Sequence, residues 1–279
     1  MKILAPAKIN LFLEVKNKRA DGYHNIESIM QSVSLYDELE FKPAEEKISL
    51  KCNLKNLPND ERNLVVKAAK LLKKELKTQK GARIHLKKNI PLGAGLGGGS
   101  SDAAAALKGL LKLWKLKISP KKLVKIAAKI GADVPFFLNC GTAVAKGIGD
   151  ILKSIKKVKK TYFVLVFPNF GVSTPSVYKK LHFPLTSRQK INKIKFHLES
   201  LKDSKIWGRL LYNRLEEVVL PKYPKVAFIK KKIENFGYKS LMSGSGSTVF
   251  GIVPSLEEGQ RLKKKLLSYK WKVWVVESL

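Results

Sequence analysis

The chain has 279 residues, 44% of them hydrophobic, which predicts one or two packed domains and excludes a disordered protein. Its net charge of +33 suggests nucleic acid binding, but only seven of the 55 basic residues are arginine, which paired hydrogen bonds to bases and phosphates favour, so we expect no nucleic acid partner. Apolar stretches are too short to cross a membrane, and Cys52 and Cys140 lack metal-ligand spacing, so we expect a cytoplasmic protein without membrane contact.

Strands and helices alternate in the first half of the chain. Alternating hydrophobicity predicts strands at residues 3–15, 26–41 (as one strand or two), 48–54, 82–88 and 141–146. Apolar residues at helical spacing predict helices at residues 64–77, from the alanine run at 103 to 115, at 120–131 and at 133–138. Asn59 and Asp60 are the predicted cap of the first helix. A charged connector at residues 153–160 marks the predicted domain boundary, which divides residues 1–155 from 156–279.

The second half also contains both kinds of element. Strands are predicted at residues 162–167, 239–242, 248–253 and 271–276, and helices at 187–201, 205–219, 224–236 and 256–269. This order of strands and helices is typical of a split βαβ, or ferredoxin-like, domain.

The most informative segment is a glycine-rich loop, residues 91–101, which leads into the predicted alanine-rich helix. Glycine-rich backbone at a helix N-terminus exposes N–H groups, which bind phosphate. A dinucleotide site would have an acidic residue about 20 positions later, and a Walker A loop would end in Gly-Lys-Ser/Thr; this loop has neither. We expect Asp102, in the first turn of this helix, to complement the helix dipole rather than to bind a metal ion. The predicted phosphate-binding residues are Pro91, Leu92, Gly93, Ala94, Gly95, Leu96, Gly97, Gly98, Gly99, Ser100 and Ser101.

Lys8 and Asp133 are the candidate catalytic pair. Lys8 lies in the middle of an otherwise apolar predicted strand, and Asp133 lies between two predicted helices. An edge-strand lysine and a simple helix cap are the alternatives for the two residues. In a catalytic role, the carboxylate would accept a proton from a substrate hydroxyl, and the ammonium group would keep the carboxylate ionised.

Two further segments combine turn-forming residues with polar groups. In the first, Tyr23 and His24 follow a turn at Asp21 and Gly22, where they either lie on the surface or hold a nucleobase. The second, residues 243–248, reads Ser-Gly-Ser-Gly-Ser-Thr. It forms either a tight entry into a strand or a second set of backbone donors that face a phosphate.

Three segments in this order resemble the motifs of the GHMP kinase superfamily: residues 6–11, 91–101 and 243–248. Residues 19–24 and 131–137 further resemble members whose acceptor alcohol carries a cytidine diphosphate group. The resemblance implies an α+β, two-lobed fold with a ribosomal-protein-like N-terminal lobe, a ferredoxin-like C-terminal lobe and a cleft for both substrates. It also implies an ATP-dependent small-molecule kinase that uses Mg²⁺.

Residue roles follow from the same resemblance. It implies that Asp133 is the catalytic base and Lys8 the catalytic lysine, that Asn10, Tyr23 and His24 hold the cytidine end, and that Tyr178 stacks on cytosine opposite Tyr23. Met30 departs from the pattern, because an aromatic residue is common at that position. The magnesium-binding glutamate of the superfamily has no counterpart here, so no metal ligand is assigned. We expect a monomer or a weak homodimer.

Two other functions remain open at this point. The chain could be a kinase of the same superfamily that acts on homoserine or mevalonate, although neither substrate has a base for Tyr23, His24 and Tyr178 to contact. It could also be a basic nucleic-acid-binding protein built on the same ribosomal-type lobe, with the charge of +33 as its main support.

Overall fold

The computed structural model describes residues 1–155, 158–181 and 207–279. The chain forms two compact units whose segments interleave along the sequence. The first unit comprises residues 1–7, 35–92 and 97–140, and the second comprises residues 8–34, 93–96 and 141–279. The sequence-based division after residue 155 stays a prediction.

Two long strands supply residues to both units. Strand β1 (Lys2–Lys18) confirms the strand predicted at residues 3–15, and β2 (His24–Ala44) shows that residues 26–41 form one strand. The middle of β1 is buried on both faces, which includes Lys8, Asn10 and Glu14. Buried polar groups need partners, so this strand marks a place where polar side chains have a specific use.

The first unit packs helices against three paired strands of a seven-stranded sheet. Strand β4 (Gly81–Lys87) pairs parallel with β3 (Ile48–Cys52) and antiparallel with residues 38–44 of β2. Gly109 lets a helix rest directly on the sheet, because a Cβ atom there would lie 2.5 Å from the ring of Phe41. The helices of this unit are α1 (Leu64–Leu76), α2 (Gly98–Trp114), α3 (Pro120–Ile130) and α4 (Val134–Asn139).

Local polar groups decide where these helices begin. Ser119 caps α3 through the N–H of Lys122, which confirms the predicted start at Ser119 and Pro120. The predicted cap of α1 at Asn59 and Asp60 is wrong, since Asn63 accepts the hydrogen bond from the N–H of Val65. Asp60 lies three residues before this cap, and its carboxylate binds Arg62.

The second unit contains a four-stranded antiparallel sheet with the order β11-β7-β10-β9. This order and the helices before β9 and β11 are those of a ferredoxin-like domain, so the α+β prediction is confirmed. The strands are β7 (Tyr162–Phe167), β9 (Ser240–Met242), β10 (Val249–Val253) and β11 (Lys272–Glu277). The two helices are α8 (Pro224–Asn235) and α9 (Leu256–Leu267).

Shorter elements complete this unit. Strand β5 (Thr142–Lys146) pairs with residues 28–31 of β2 and with β6 (Ile151–Ile155), so the predicted charged connector begins as a strand. A short helix, α5 (Thr174–Lys179), follows β7. Among the described residues, no helix combines the length and apolar character that a membrane span requires.

The helix predicted at residues 205–219 is confirmed only at residues 207–210 and 216–219; between them the prediction is wrong. The segment forms α6 (Trp207–Leu210), β8 (Tyr212–Asn213) and the start of α7 (Glu216–Lys222). Strand β8 pairs parallel with β1, and the Asn213 side chain donates to the carbonyls of Met242 and Gly244, so the backbone and side chain of this segment are both used in tertiary contacts. The helix predicted at residues 187–201 lies outside the described residues.

Candidate active site

Three loop glycines have backbone conformations that other residues rarely adopt. Gly93, Gly95 and Gly97 have φ angles of 62°, 75° and 69°. Positive φ is nearly free for glycine and costs about 1 kcal/mol or more for residues with a Cβ atom. The glycine content of the loop therefore sets its path.

Gly95 also packs against the second small-residue loop, residues 243–248. A Cβ atom on Gly95 would lie 2.0 Å from the carbonyl oxygen of Ser243, so only glycine fits. The Ser243 hydroxyl donates to the carbonyl of Gly95 at 2.9 Å, and the N–H of Thr248 donates to that of Ala94 at 3.2 Å. The structure thus brings together residues 93–96 and 243–248, which the sequence singled out separately.

The N-terminus of α2 suits a bound anion. Gly97 occupies the N-cap position without a side-chain hydrogen bond, so the first N–H groups of the helix lack the usual side-chain cap. The Ser101 hydroxyl is buried one turn later and has no hydrogen-bond partner among the described residues. Buried polar groups in native proteins are normally satisfied, and the oxygen of a phosphate would satisfy these donors.

The candidate lysine belongs to a buried polar chain in the second unit. Lys8 is 5% exposed, and its Nζ atom lies 2.5 Å from Oδ1 of Asn10. The amide of Asn10 donates to the Ser28 hydroxyl at 2.8 Å, which donates in turn to the carbonyl of Phe12. The N–H of Lys8 also bonds to the carbonyl of Leu96, at the end of the loop segment that belongs to this unit. Lys8 and Asn10 therefore have fixed positions.

Asp133 lies in the first unit, at the N-cap position of α4. Its side chain makes no capping hydrogen bond, which argues against the simple cap that is the structural alternative for this residue. Asp133 is half-buried, and Pro135 and the apolar residues after it fix the start of the helix. The carboxylate is thus held on a short, well-packed helix.

A buried ion-pair network at the base of the glycine loop was missed by the sequence analysis. The Nζ atom of Lys88 contacts Oδ2 of Asp37 and lies 2.8 Å from Oδ2 of Asp102. Asp37 Oδ1 accepts the N–H groups of Asn89 and Ile90 at 2.6 and 2.8 Å. The expectation that Asp102 complements the helix dipole from the first turn is wrong, because the first turn of α2 contains no acidic residue; the Asp102 carboxylate pairs with Lys88 instead.

This network joins the two ends of the loop. Lys88 comes three residues before Pro91, and Asp102 directly follows Ser101. Burial, opposed by the Lys88 ammonium group and reinforced by the Asp37 charge, raises the pKa of Asp102 to about 7. Lysines occur throughout the sequence, so the only sequence signal for Lys88 was its position just before the glycine loop.

The three ring-bearing candidate contacts for a nucleobase, Tyr23, His24 and Tyr178, belong to the second unit. The rings of His24 and Tyr178 lie 5.1 Å apart, with 37° between their planes. Burial, together with the charge of Lys18, lowers the pKa of His24, which favours the neutral imidazole. Tyr23 is 58% exposed, and its N–H is held by the Asp21 carboxylate.

The structure also describes Met30 and the residue types that could bind a metal ion. Met30 is completely packed in β2, opposite Ala143 of β5. Across the described ranges, histidine, cysteine, aspartate and glutamate form no group of three that could hold a metal ion.

Comparisons with known proteins agree along the whole chain. A model of the GHMP kinases N terminal domain matches residues 63–141, and a model of the GHMP kinases C terminal domain matches residues 197–273. The 4-diphosphocytidyl-2-C-methyl-D-erythritol kinase of Syntrophus aciditrophicus is 44% identical over 100% of this chain and 99% of its own. The enzyme of that name from Bacillus subtilis is 41% identical over 100% of this chain and 98% of its own.

Solved structures show the same fold. A crystal structure of 4-(cytidine 5'-diphospho)-2C-methyl-D-erythritol kinase matches with a TM-score of 0.83 and 33% identity, over 100% of this chain and 99% of that one. A homoserine kinase from Cytophaga hutchinsonii matches with a TM-score of 0.77 and 22% identity, over 100% of this chain and 94% of that one. The second match carries information about the fold alone.

The raised pKa of Asp102 predicts a pH-dependent stability. An unfolded aspartate has a pKa near 3.9 and releases its proton at about pH 4. Between about pH 4 and 7, the folded chain therefore holds a proton on Asp102 that the unfolded chain has already lost. Folding then binds a proton, and the stabilising contribution is lost as the pH rises through about 7. We expect urea unfolding to show that the Asp102→Asn variant loses less stability between pH 5 and 8 than the parent chain.

Asp60→Asn is the matched control, because Arg62 lowers the pKa of the exposed Asp60 to about 2, outside this pH window. Its stability should follow the parent chain at each pH. Parallel pH profiles for the parent chain and Asp102→Asn would contradict the assignment.

Proposed function

The chain belongs to the 4-diphosphocytidyl-2-C-methyl-D-erythritol kinases of the GHMP kinase superfamily, and from this premise we propose that it transfers the γ-phosphoryl group of ATP to the 2-hydroxyl of that alcohol. The reaction is a step of the non-mevalonate route to isoprenoid precursors. One observation carries the proposal: identity of 41–44% extends over the full length of relatives with this name.

The backbone of the glycine loop is proposed to hold the phosphates of ATP. Residues 91–101 would supply N–H groups, and the buried Ser101 hydroxyl would add a donor. The uncapped N-terminus of α2 supports this role, since its partial positive charge stabilises a phosphate. Positioning and charge stabilisation dominate phosphoryl transfer, so a rigid loop is the main requirement.

Lys8 and Asp133 are proposed to act on the transferring group. Asp133 would accept the proton of the 2-hydroxyl, so that the oxygen attacks the γ-phosphorus as the bond to ADP breaks. Lys8 would offset the negative charge that is shared by the attacking oxygen and the phosphoryl group. The hydrogen bond from Lys8 to Asn10 supports this role, because it fixes the ammonium group before substrate binds.

The cytidine end of the acceptor is proposed to bind at Asn10, Tyr23, His24 and Tyr178. His24 already packs against Tyr178, and its neutral imidazole offers one donor and one acceptor to a base. Tyr23 is the more exposed ring and would cover the base from the other side. A pocket of this kind discriminates against alcohols that have no base to stack.

Mg²⁺ is proposed to bind mainly through the phosphate oxygens of ATP, where it neutralises developing charge. The residues that the structure describes offer no cluster of three acidic or imidazole ligands for it. Nucleotide-bound Mg²⁺ usually retains several waters and needs few protein ligands.

An assay of ADP release distinguishes the proposed activity from the activities of kinases of the same fold that act on other alcohols. ADP release is measured with 4-diphosphocytidyl-2-C-methyl-D-erythritol, mevalonate and homoserine in parallel. We expect turnover with the first substrate and at least a hundredfold lower kcat/KM with the other two. Equal or higher kcat/KM with mevalonate or homoserine would overturn the substrate assignment, and salt-sensitive RNA binding without ADP release would favour a nucleic-acid-binding protein.

Asp133→Asn tests the proposed base. Asparagine keeps the shape of the side chain but cannot accept the proton, so kcat should fall by about 10² to 10⁴. ATP affinity should change little, and an unchanged circular-dichroism spectrum would show that the variant folds. Asp60→Asn, which removes an exposed carboxylate of the same unit, serves as the control. A kcat for Asp133→Asn within twofold of the parent value would exclude Asp133 as the base.

A further inference from the structure

A four-residue motif in the second unit, buried at its first three positions, has no role in the mechanism above. Residues 213–216 read Asn-Arg-Leu-Glu and connect β8 to α7. Asn213 is 3% exposed and lies opposite Leu13 of β1 in the parallel pairing of β8. Its position is therefore fixed by the sheet before its side chain makes any contact.

The side-chain amide of Asn213 is fully used. Its Nδ2 atom donates to the carbonyl oxygens of Met242 and Gly244, both at 2.8 Å. Its Oδ1 atom accepts the N–H of Leu215 at 2.9 Å. One buried side chain thus holds two carbonyl groups at the entrance of the loop formed by residues 243–248.

Glu216 binds the backbone N–H of Met242, whose carbonyl is bound by Asn213. Its Oε1 atom accepts the N–H of Met242 at 2.9 Å, and its Oε2 atom pairs with Lys230 at 2.6 Å. Both backbone polar groups of Met242 are therefore bound by side chains of this motif. The residues after Met242 begin from a fixed point.

Gly244, whose carbonyl is bound by Asn213, packs closely against residues of the candidate site. A Cβ atom on Gly244 would lie 3.1 Å from the carbonyl oxygen of Gly95 and 3.4 Å from Oδ1 of Asn10. That Oδ1 atom is the partner of the Lys8 ammonium group. A shift of Gly244 would therefore disturb the glycine loop and the hydrogen bond that fixes Lys8.

We propose that Asn213 is a positioning residue for phosphoryl transfer, which holds Gly244 against Gly95 and Asn10 and so fixes the loop and Lys8. The inference rests on the proposed function. Asn213 touches neither substrate; it acts through the loop. Its removal should therefore slow the chemical step more than it weakens binding of the cytidine end.

The test replaces Asn213 with leucine, which has a similar shape and no donor. We expect kcat to fall at least tenfold, while KM for the cytidine-bearing alcohol stays within threefold of the parent value. Hydrogen exchange should accelerate at the N–H groups of Ser243, Gly246 and Thr248, and stay unchanged in β7 and β11. Asn213→Ser keeps one donor and should give intermediate values, which preserves the test if the leucine variant does not fold.

Ser240→Ala is the matched control. Ser240 is buried on strand β9, and its hydroxyl donates to the carbonyl of Lys230 and to the carboxylate of Glu234, both outside residues 243–248. This variant should lose a similar buried hydrogen bond and keep the parent kcat and loop exchange. A kcat loss in Ser240→Ala equal to that in Asn213→Leu would show that general destabilisation is the cause.

A double-mutant cycle with Gly244→Ala separates positioning from a purely structural role. If Asn213 acts through Gly244, the losses in kcat of the two single variants should not multiply in the double variant. Multiplicative losses, or a parent-like kcat in Asn213→Leu, would overturn the inference. If the parent chain itself does not phosphorylate the cytidine-bearing alcohol, the proposed function fails, and the hydrogen-exchange result then decides whether Asn213 holds the loop.

Discussion

The arrangement of the candidate site depends on one close backbone contact, between Gly95 and Ser243. The space at Gly95 cannot hold a Cβ atom, since one would lie 2.0 Å from the Ser243 carbonyl oxygen. This contact lets residues 93–96 and 243–248 share hydrogen bonds, although 148 positions separate Gly95 from Ser243. The loop that is proposed to bind phosphate is therefore supported by backbone from the far end of the chain.

Buried side chains hold the surroundings of this contact. In the second unit, Asn10 fixes Lys8 and lies beside Gly244. In the first unit, Lys88 and Asp102 join the two ends of the glycine loop. Buried ion pairs add little net stability, because desolvation offsets their attraction. Their value here is geometric: they restrict a glycine-rich segment that would otherwise be flexible.

Much of the fold and several site features could be predicted from the sequence. The strand at Tyr162–Phe167 and the helix at Pro120–Ile130 have strong local signals, and the structure confirms both. The glycine loop was recognisable because glycine lowers the stability of the folded chain unless the backbone needs its conformations or its small size. Lys8 and Asp133 stood out by their positions, the resemblance to a family implied their roles, and those roles stay predictions.

Other features could not be predicted because distant residues determine them. The segment at residues 205–219 has helical spacing, but the side-chain amide of Asn213 donates hydrogen bonds to the carbonyls of Met242 and Gly244, which lie 29 and 31 positions away. Likewise, the pairing of Lys88 with Asp37 spans 51 positions. Local propensity carries no information about such contacts.

The most direct measurement of the central constraint is the kcat/KM of Gly95→Ala for ATP, compared with that of Gly237→Ala. Both glycines have positive φ, but a Cβ atom on Gly237 would meet nothing within 4 Å. The control therefore carries the backbone strain without the clash. We expect kcat/KM to fall at least about tenfold in Gly95→Ala, which corresponds to about 1.4 kcal/mol of transition-state stabilisation, and to stay near the parent value in Gly237→Ala. A Gly95→Ala variant with parent-like kcat/KM would contradict the account.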